Sequence, residues 1–173
     1  MQTRREKSPC GRPLSACSGT GVFVGYASLF GVRDASGDMV MPGAFAASLK
    51  ARPPADIRML FQHDPAEPVG TWLEMIETEN GLHVCGRLNP QVQRGRELLS
   101  LLESGGLDGR SIGFKTVWAQ RHKPSQTRQL RKVDLWEVSL VTFPMLQGAR
   151  VSELKLYALG NAARHIQRPT QHV

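Results

Sequence analysis

The sequence predicts a mainly β protein of the α+β class, in which helices decorate an antiparallel or mixed, barrel-like sheet. Three observations lead to this prediction. Apolar segments of strand length recur along the chain, turn-forming residues separate them, and only two or three segments show helical periodicity. Because strands and helices do not alternate regularly, the pattern disfavours a doubly wound parallel sheet.

Length and composition indicate a folded domain. The chain has 173 residues, of which 40% are hydrophobic and 21% charged, values typical of soluble globular proteins. No apolar run approaches the roughly 18–20 residues that a membrane span requires. The N-terminal residues lack the apolar stretch of a secretory signal, so a cytoplasmic protein is expected. The three cysteines are expected to be reduced and unconnected.

Composition divides the chain into three parts. Residues 1–20 are rich in Ser, Gly, Pro and Arg without periodicity, which predicts a disordered or removable segment. Residues 21–159 carry the strand and helix patterns of the folded domain. Residues 160–173 contain no core-forming pattern and are predicted to be a basic, flexible tail.

In the first third of the domain, apolar residues alternate over 22–26 and predict a strand. A loop with many turn residues follows over 30–38. A Pro-Gly pair at 42–43 then introduces a short helix, which two prolines at 53–54 end. Residues 57–61 read as a short buried strand.

The rest of the domain contains a hairpin, a helix and two further strands. Asn80-Gly81 between two alternating runs, 69–77 and 82–88, is a strong hairpin signal. Leucines recur at helical spacing over 91–104, and Gly105-Gly106 closes that helix. The last predicted elements are strands at 111–117 and 133–143 and a short helix at 152–159.

Three predicted strands each hold a group that a serine hydrolase requires: a nucleophile, a base, and an acid that orients the base. Ser111 lies between Gly109 and Gly113, where a backbone or a substrate can approach closely. His63 ends an apolar strand, and Glu137 lies within the apolar run VDLWEVSLVTF. Each residue also has an ordinary structural explanation. Ser111 could simply start a strand after a turn, His63 could be a hydrogen-bonded packing residue, and Glu137 could lie on a solvent-exposed strand face.

Glu137 requires a partner if it is buried. Strand alternation places it on one face with Leu135 and Ser139, and the apolar character of the run suggests that both faces are covered. A buried carboxylate is costly unless it is hydrogen-bonded, and Nδ1–H of His63 would satisfy it. Asp64 and Asp134 are the competing acids. Asp64 is disfavoured because adjacent strand residues point in opposite directions.

Other chemistry is more weakly indicated. Ser111 formally matches the Gly-x-Ser-x-Gly pattern of α/β-hydrolases, but a strand follows it where that motif requires a helix. His83 and Cys85 could share a metal, although zinc normally requires three or four ligands. The net charge of +7 and pI near 9.8 invite a nucleic-acid interpretation, yet no DNA-binding motif accompanies the basic clusters. Attraction to an acidic protein explains the charge equally well.

Five segments resemble the prohead (capsid maturation) protease family of tailed bacteriophages. They occur in the family's order: GYASLFGVRDASGDMVMPGAF, LFQHDPAEPVGTW, GLHVCGRLN, LDGRSIGF and LWEVSLVTFP. The family is similar in fold to the herpesvirus assembly protease, which implies a β-barrel of about six to seven mostly antiparallel strands surrounded by helices. The resemblance assigns the family's histidine to His63, its nucleophilic serine to Ser111 and its acidic position to Glu137.

The chain departs from the family pattern after Pro144, where Met145 and Leu146 replace the usual Ala-Asn. This departure falls where an oxyanion site would be built. By analogy with the herpesvirus enzymes, Arg150, or backbone N–H groups near it, is the candidate donor.

The resemblance implies a serine endopeptidase of phage head maturation that needs no metal or organic cofactor. Its implied substrates are the scaffold or N-terminal delta region of the major capsid protein and the protease itself, inside the prohead in the bacterial host cytoplasm. A homo-oligomer is compatible with this function, no membrane partner is expected, and nucleic acid would bind at most non-specifically. Two alternatives stay open: a catalytically inactive capsid-assembly or scaffold-binding protein with the same fold, and a basic nucleic-acid-binding module of the packaging machinery.

Overall fold

The computed structural model describes residues 21–157 and 163–167, which form nine strands, two α-helices and one short 3-10 turn at Pro54–Asp56. The helices are α1 (Ala46–Ala51) and α2 (Gln93–Ser104). The strands are β1 (Val22–Leu29), β2 (Asp38–Val40), β3 (Arg58–Phe61), β4 (Asp64–Glu77), β5 (Gly81–Leu88), β6 (Gly109–Arg121), β7 (Arg128–Val141), β8 (Val151–Tyr157) and β9 (Ala163–Gln167).

All nine described strands belong to one curled sheet. Its order is β2-β7-β3-β4-β5-β1-β8-β9, and β6 pairs along β7. The pairs are antiparallel except that β2 and β3 both run parallel to β7. An isolated bridge between Gly109 and Arg150 brings the start of β6 to the start of β8, so the sheet curls back on itself. The predicted fold class, a mainly β, barrel-like sheet with few helices, is confirmed.

The core fills the inside of this curled sheet. Phe23 of β1 and Trp72 of β4 meet edge to face with ring centroids 5.6 Å apart, an arrangement that aromatic pairs favour. Helix α2 presents the buried Leu98 and Leu102, one turn apart, and ends at Gly105, whose φ of +80° suits a left-handed C-cap. The interior is therefore packed by side chains from the strands, from one face of α2 and from connecting segments, which contribute Ala44, Phe45, Ile57 and Leu107.

A bulge interrupts the side-chain alternation that was predicted for β7. Gly113 pairs with Glu137 but Phe114 pairs with Leu135, so Trp136 is an extra residue in β7. Val133 and Leu135 face the core before the bulge, and Val138 and Leu140 face it afterwards. The prediction that Leu135 and Glu137 share a face is therefore wrong, whereas Glu137 and Ser139 lie on the same side of the bulge, two residues apart.

The C-terminal part of the domain also differs from the prediction. Residues 152–159 were predicted as a short helix, but Val151–Tyr157 is a strand, because β1 on one edge and β9 on the other satisfy its backbone. Within the predicted tail, the structure describes Ala163–Gln167, which forms strand β9. The predicted N-terminal segment, residues 1–20, lies outside the described residues.

Two further findings concern membranes and thiols. Among the described residues, no helix is long and apolar enough to cross a membrane. Cys85 is disulfide-bonded, so the expectation of unconnected thiols is wrong for this residue. The disulfide also leaves no free Cys85 thiolate to pair with His83 as a metal ligand. No group of three His, Cys, Asp or Glu side chains among the described residues could hold a metal ion.

Candidate active site

The predicted nucleophile, base and acid lie on three elements that meet at β7. Strand β3 runs parallel to one edge of β7 and carries the chain into the turn that holds His63. Strand β6 runs antiparallel along the other edge, where Ser111 is the direct cross-strand partner of Ser139. Glu137 and Ser139 both come from β7. One strand therefore lies between the elements that hold Ser111 and His63.

His63 occupies a strained two-residue turn between β3 and β4. Gln62 and His63 have φ of 54° and 61°, in the left-handed region that residues with a Cβ rarely adopt. Two-residue hairpin turns require such positive φ values and usually use Asn and Gly. Main-chain hydrogen bonds hold this turn to β7: Gln62 N–H donates to the Leu140 carbonyl at 3.0 Å and His63 N–H to Ser139 Oγ at 3.1 Å. Such strain is common at functional sites.

The His63 side chain contacts Glu137 directly. Nδ1 of His63 lies 2.6 Å from Oε1 of Glu137, whose other oxygen, Oε2, accepts a hydrogen bond of 2.6 Å from the Ser139 hydroxyl. The His63 side chain is 42% exposed, whereas that of Glu137 is 12% exposed. Both carboxylate oxygens of Glu137 are thus hydrogen-bonded, which offsets the cost of burying the charge.

The contact with Glu137 changes the protonation of His63. The hydrogen bond to Glu137 raises the pKa of His63 above its ordinary value of 6.5, partial burial opposes that rise, and the charge of Glu137 adds to it. Because an ionised carboxylate can only accept a hydrogen bond, the contact favours the tautomer with hydrogen on Nδ1. Nε2 is then the nitrogen that can accept a proton from a substrate-side group.

Gly113 makes room for the Glu137 carboxylate. Gly113 lies opposite Glu137 in the β6–β7 pair, and a Cβ on it would overlap Oε1 and lie 2.7 Å from Cδ of Glu137. Any larger residue would displace the carboxylate from its position beside His63. Gly113 is therefore needed so that the Glu137 carboxylate can approach the β6 backbone closely. It is not needed for backbone conformation, since its φ is not in the left-handed region.

Ser111 borders a pocket whose lining includes none of His63, Glu137 and Ser139. The pocket has a volume of about 130 Å³, and Ser111, which is 8% exposed, forms part of its wall. Its other lining residues include both apolar and acidic side chains, among them Ala27, Leu29, Ile112, Leu146 and Asp34. A pocket of this kind can accept one side chain of a bound polypeptide.

The loop that carries Arg150 is fastened to the start of β6. The Arg150 guanidinium forms an ion pair with Asp108 and donates through Nε to the Gln147 carbonyl at 2.8 Å; neither contact uses Nη2. The main-chain N–H of Arg150 donates to the Gly148 carbonyl at 3.0 Å. The side-chain contacts hold the guanidinium near β6. The main-chain N–H of Arg150 is already used in its hydrogen bond to Gly148.

Arg110, next to Ser111, secures the same loop from inside the barrel. Its side chain is fully buried, its Nη2 donates to the Arg150 carbonyl, and its main-chain N–H donates to the Ala149 carbonyl at 2.8 Å. Burial lowers the pKa of Arg110 to about 9, and the Asp108 carboxylate opposes that shift. Within the part of the chain that the structure describes, its buried Nε and Nη1 have no hydrogen-bond partner, a costly arrangement. Sequence reasoning did not single out Arg110, because an arginine near a turn normally lies in solvent.

The competing acids lie elsewhere. Asp134 forms an ion pair with Arg52 and accepts a hydrogen bond of 2.8 Å from the Trp136 indole. Asp64 accepts a hydrogen bond of 2.8 Å from the Ala66 main chain within its own turn. The structure therefore brings His63 together with Glu137, and not with Asp134 or Asp64. Ser139 forms a hydrogen-bonded cluster with His63 and Glu137. The sequence placed it on the same face as Glu137 but gave it no role.

A family model described as caudovirus prohead serine protease matches residues 12–162. The prohead protease of Enterobacteria phage HK97 is 34% identical over 137 residues, which cover 78% of this chain and 60% of that protein. The prohead protease of Escherichia phage T5 is 30% identical over 89 residues, covering 51% of this chain and 41% of that protein. The chain thus spans about 60% or less of the length of these relatives.

Two solved structures share the fold. The capsid assembly protease of bacteriophage T4 superimposes with a TM-score of 0.57 at 12% identity, covering 69% of this chain and 80% of that chain. The KSHV protease, solved in complex with a hexapeptide phosphonate inhibitor, superimposes with a TM-score of 0.52 at 14% identity, covering 77% of this chain and 64% of that chain.

Proposed function

Because this chain belongs to the caudovirus prohead serine protease family, we propose that it is a serine endopeptidase of phage head maturation, with Ser111 as nucleophile, His63 as base and Glu137 as orienting acid. The observation that carries the assignment of residues is the 2.6 Å contact between His63 Nδ1 and Glu137 Oε1, formed beside the strand that bears Ser111. The same three roles occur in serine proteases of unrelated folds.

The proposed reaction has two stages. His63 Nε2 removes the proton from Ser111 Oγ as that oxygen attacks the carbonyl carbon of the scissile bond, and Glu137 stabilises the imidazolium that forms. His63 then gives the proton to the leaving amine, which leaves an acyl-enzyme on Ser111. Water, deprotonated by His63, hydrolyses the ester and restores the Ser111 hydroxyl. Ser139 donates to Oε2 of Glu137, the oxygen that His63 Nδ1 does not contact, and accepts a hydrogen bond from the main chain of His63.

For the oxyanion we propose a donor from the loop at Arg150. Support comes from the contacts of that loop with Asp108 and Arg110, which hold it next to the first residues of β6. The side-chain candidate is Nη2 of Arg150, which takes part in neither of the guanidinium contacts with Gln147 and Asp108, since the main-chain N–H of Arg150 already donates to Gly148. Removing one donor to an oxyanion typically costs about 10²- to 10³-fold in rate.

The proposed substrates are the scaffold or delta region of the major capsid protein and the protease itself, cleaved within the prohead in the host cytoplasm. Support comes from the family and from the relatives that are prohead proteases. The pocket beside Ser111 would receive one side chain of the substrate next to the scissile bond. No step of this reaction requires a cofactor.

The test is to co-express the cognate major capsid protein with the wild-type chain, with Ser111→Ala and with Ser100→Ala, and to measure all masses. Ser100 is exposed on α2 and serves as the matched serine control. We expect the capsid protein to be shortened by the wild type and by Ser100→Ala, and to keep full length with Ser111→Ala. An uncut capsid protein with the wild type would favour an inactive assembly protein of the same fold.

A further inference from the structure

The distal part of the β6–β7 hairpin is strongly basic. This part, residues 117–132, is called the basic arm below; it contains no Asp or Glu and five cations: Arg121, Lys123, Arg128, Arg131 and Lys132. Asp38 of β2 neutralises Arg128 with two hydrogen bonds, of 2.7 and 2.5 Å. The other four cations have no acidic residue within the arm itself, so the arm attracts anionic groups.

An exposed aromatic side chain lies among these cations. Trp118 is 58% exposed and its neighbour Val117 is 53% exposed. The guanidinium of Arg131 lies 5.9 Å from the centre of the Trp118 ring, and Lys132 is the cross-strand partner of Trp118. Trp118 and Val117 thus form an apolar patch among cations, and tryptophan and arginine are both enriched in the residues that dominate binding sites.

The outer edge of β6 is open in the described residues. Strand β6 pairs with β7 on one side only, apart from the single bridge at Gly109. Such an edge presents N–H and C=O groups that an extended polypeptide can pair with, as in recognition by strand addition. Base stacking and phosphate contacts, by contrast, make no use of a sheet edge. The open edge therefore favours a polypeptide over a nucleic acid as the occupant.

We propose that the basic arm binds an acidic, extended segment of the polypeptide substrate, at a distance from the scissile bond. This proposal rests on the proposed function, because Ser111 lies on the same strand as the arm. About seven residues of strand separate Ser111 from Trp118, which is roughly 23 Å at ~3.3 Å per residue. An extended substrate spans that distance with about seven of its own residues. The substrate class is thus a chain with acidic and apolar residues about seven positions from the cleaved bond.

Binding is measured with the full chain carrying Ser111→Ala, so that the result does not depend on catalysis. The probe is a short labelled peptide in which Glu alternates with Val, and its control has Gln in place of Glu. We expect the Glu peptide to bind at least about tenfold more tightly, with an affinity that falls as salt rises. Equal affinity for the two peptides would overturn the proposal.

Two pairs of matched variants locate the site. Trp118→Ala should weaken binding about five- to tenfold, whereas Trp136→Ala, which removes a tryptophan that is 53% exposed beside Asp134, should leave it unchanged. Lys123→Glu with Lys132→Glu should weaken binding about tenfold, whereas Lys50→Glu with Arg96→Glu makes the same change in net charge elsewhere and should not. If each variant and its control behave alike, the proposal is wrong.

A single-stranded oligonucleotide is the third probe. If it binds more tightly than the Glu peptide and displaces it, the arm is a nucleic-acid site and the peptide proposal fails. With the active chain, a capsid-derived substrate bearing Glu at the stated spacing should show a lower KM than its Gln form, at equal kcat. Absence of any cleavage would count against the proposed function while the binding result stands on its own.

Discussion

The two ends of strand β7 differ in how deeply they are buried, and the proposed catalytic acid lies at the buried end. From Arg128 to Asp134 only Leu130 and Val133 are buried, and the charged residues are at least partly exposed. From Glu137 to Val141 every residue is buried, between β3 on one edge and β6 on the other. The bulge at Trp136 separates the two ends.

The two ends of β7 place their carboxylates in different environments. Asp134, half-buried, is bound by Arg52 and by the Trp136 indole, the kind of contact that surface acids make. Glu137, buried, is bound by His63 and Ser139, neither of which carries a fixed charge. A buried anion next to a histidine stabilises the imidazolium far more than an exposed one does. The comparison predicts that only the buried end supports catalysis.

The largest expected effect comes from the residues that exchange the proton. Ser111→Ala and His63→Ala should each remove several orders of magnitude in kcat, and the double variant should be no slower than either, because the two act as one unit. Single-turnover kinetics on a capsid-derived peptide measures this. A double variant much slower than both singles would show that the residues act independently.

Changing the acids tests the comparison directly. Glu137→Gln should lower kcat by roughly 10²- to 10⁴-fold, because it removes the charge that stabilises the imidazolium and can favour the wrong tautomer. Asp134→Asn and Asp64→Asn should each cost less than about tenfold. If Asp134→Asn is inactive and Glu137→Gln is active, Asp134 is the orienting acid. Full activity of all three variants would indicate a Ser–His dyad.

Gly113→Ala should have an intermediate effect. The new Cβ would overlap Oε1 of Glu137 and push the carboxylate away from His63, with an expected loss of about 10- to 10²-fold in kcat. Gly106→Ala is the control, since its nearest contact is the flexible end of the Leu101 side chain at 3.2 Å. Equal rates for the two variants would show that the position of Glu137 does not limit the reaction.

The smallest effect is a shift in pH dependence. His63 must be neutral to act as base, so activity falls as pH drops through its pKa, which Glu137 raises above 6.5. Glu137→Gln removes the hydrogen bond and the charge that raise this pKa and leaves the burial that lowers it. The acid limb of kcat/KM should therefore move to lower pH, as measured on the residual activity. An unmoved limb would mean that His63 is not the titrating base.

Local sequence patterns were sufficient for most strands, because apolar alternation and turn residues reflect local physics. They also singled out Ser111, His63 and Glu137 as candidates, and the structure brings His63 and Glu137 into contact. Local patterns were insufficient where contacts between distant parts of the chain determine the backbone conformation or the partner of a side chain. The turn at Gln62-His63 lacks the Asn-Gly signal of such turns, and β7 holds it in place. The bulge at Trp136 depends on pairing with β6, and the choice of Glu137 over Asp134 depends on a partner 74 residues away in the chain.

Strand β8 is a further case in which local sequence was insufficient to predict the structure. Residues 152–159 have a composition that is compatible with a helix, and only pairing with β1 and β9 makes Val151–Tyr157 a strand. That pairing in turn brings Arg150 to Gly109 and holds the candidate oxyanion loop near Ser111. Arg110 joins them through a buried guanidinium that sequence periodicity gave no reason to expect inside the barrel.

The central claim is that Ser111, activated by His63 and Glu137, is the nucleophile, and covalent labelling tests it most directly. The chain and its Ser111→Ala, His63→Ala and Glu137→Gln variants are treated with a peptidyl phosphonate, and the modified residue is located by peptide mass spectrometry. We predict one adduct, on Ser111, formed quickly by the wild type, slowly by Glu137→Gln and not at all by the other two. An adduct on Ser139, the other hydroxyl of the cluster, or equal labelling of His63→Ala, would contradict it.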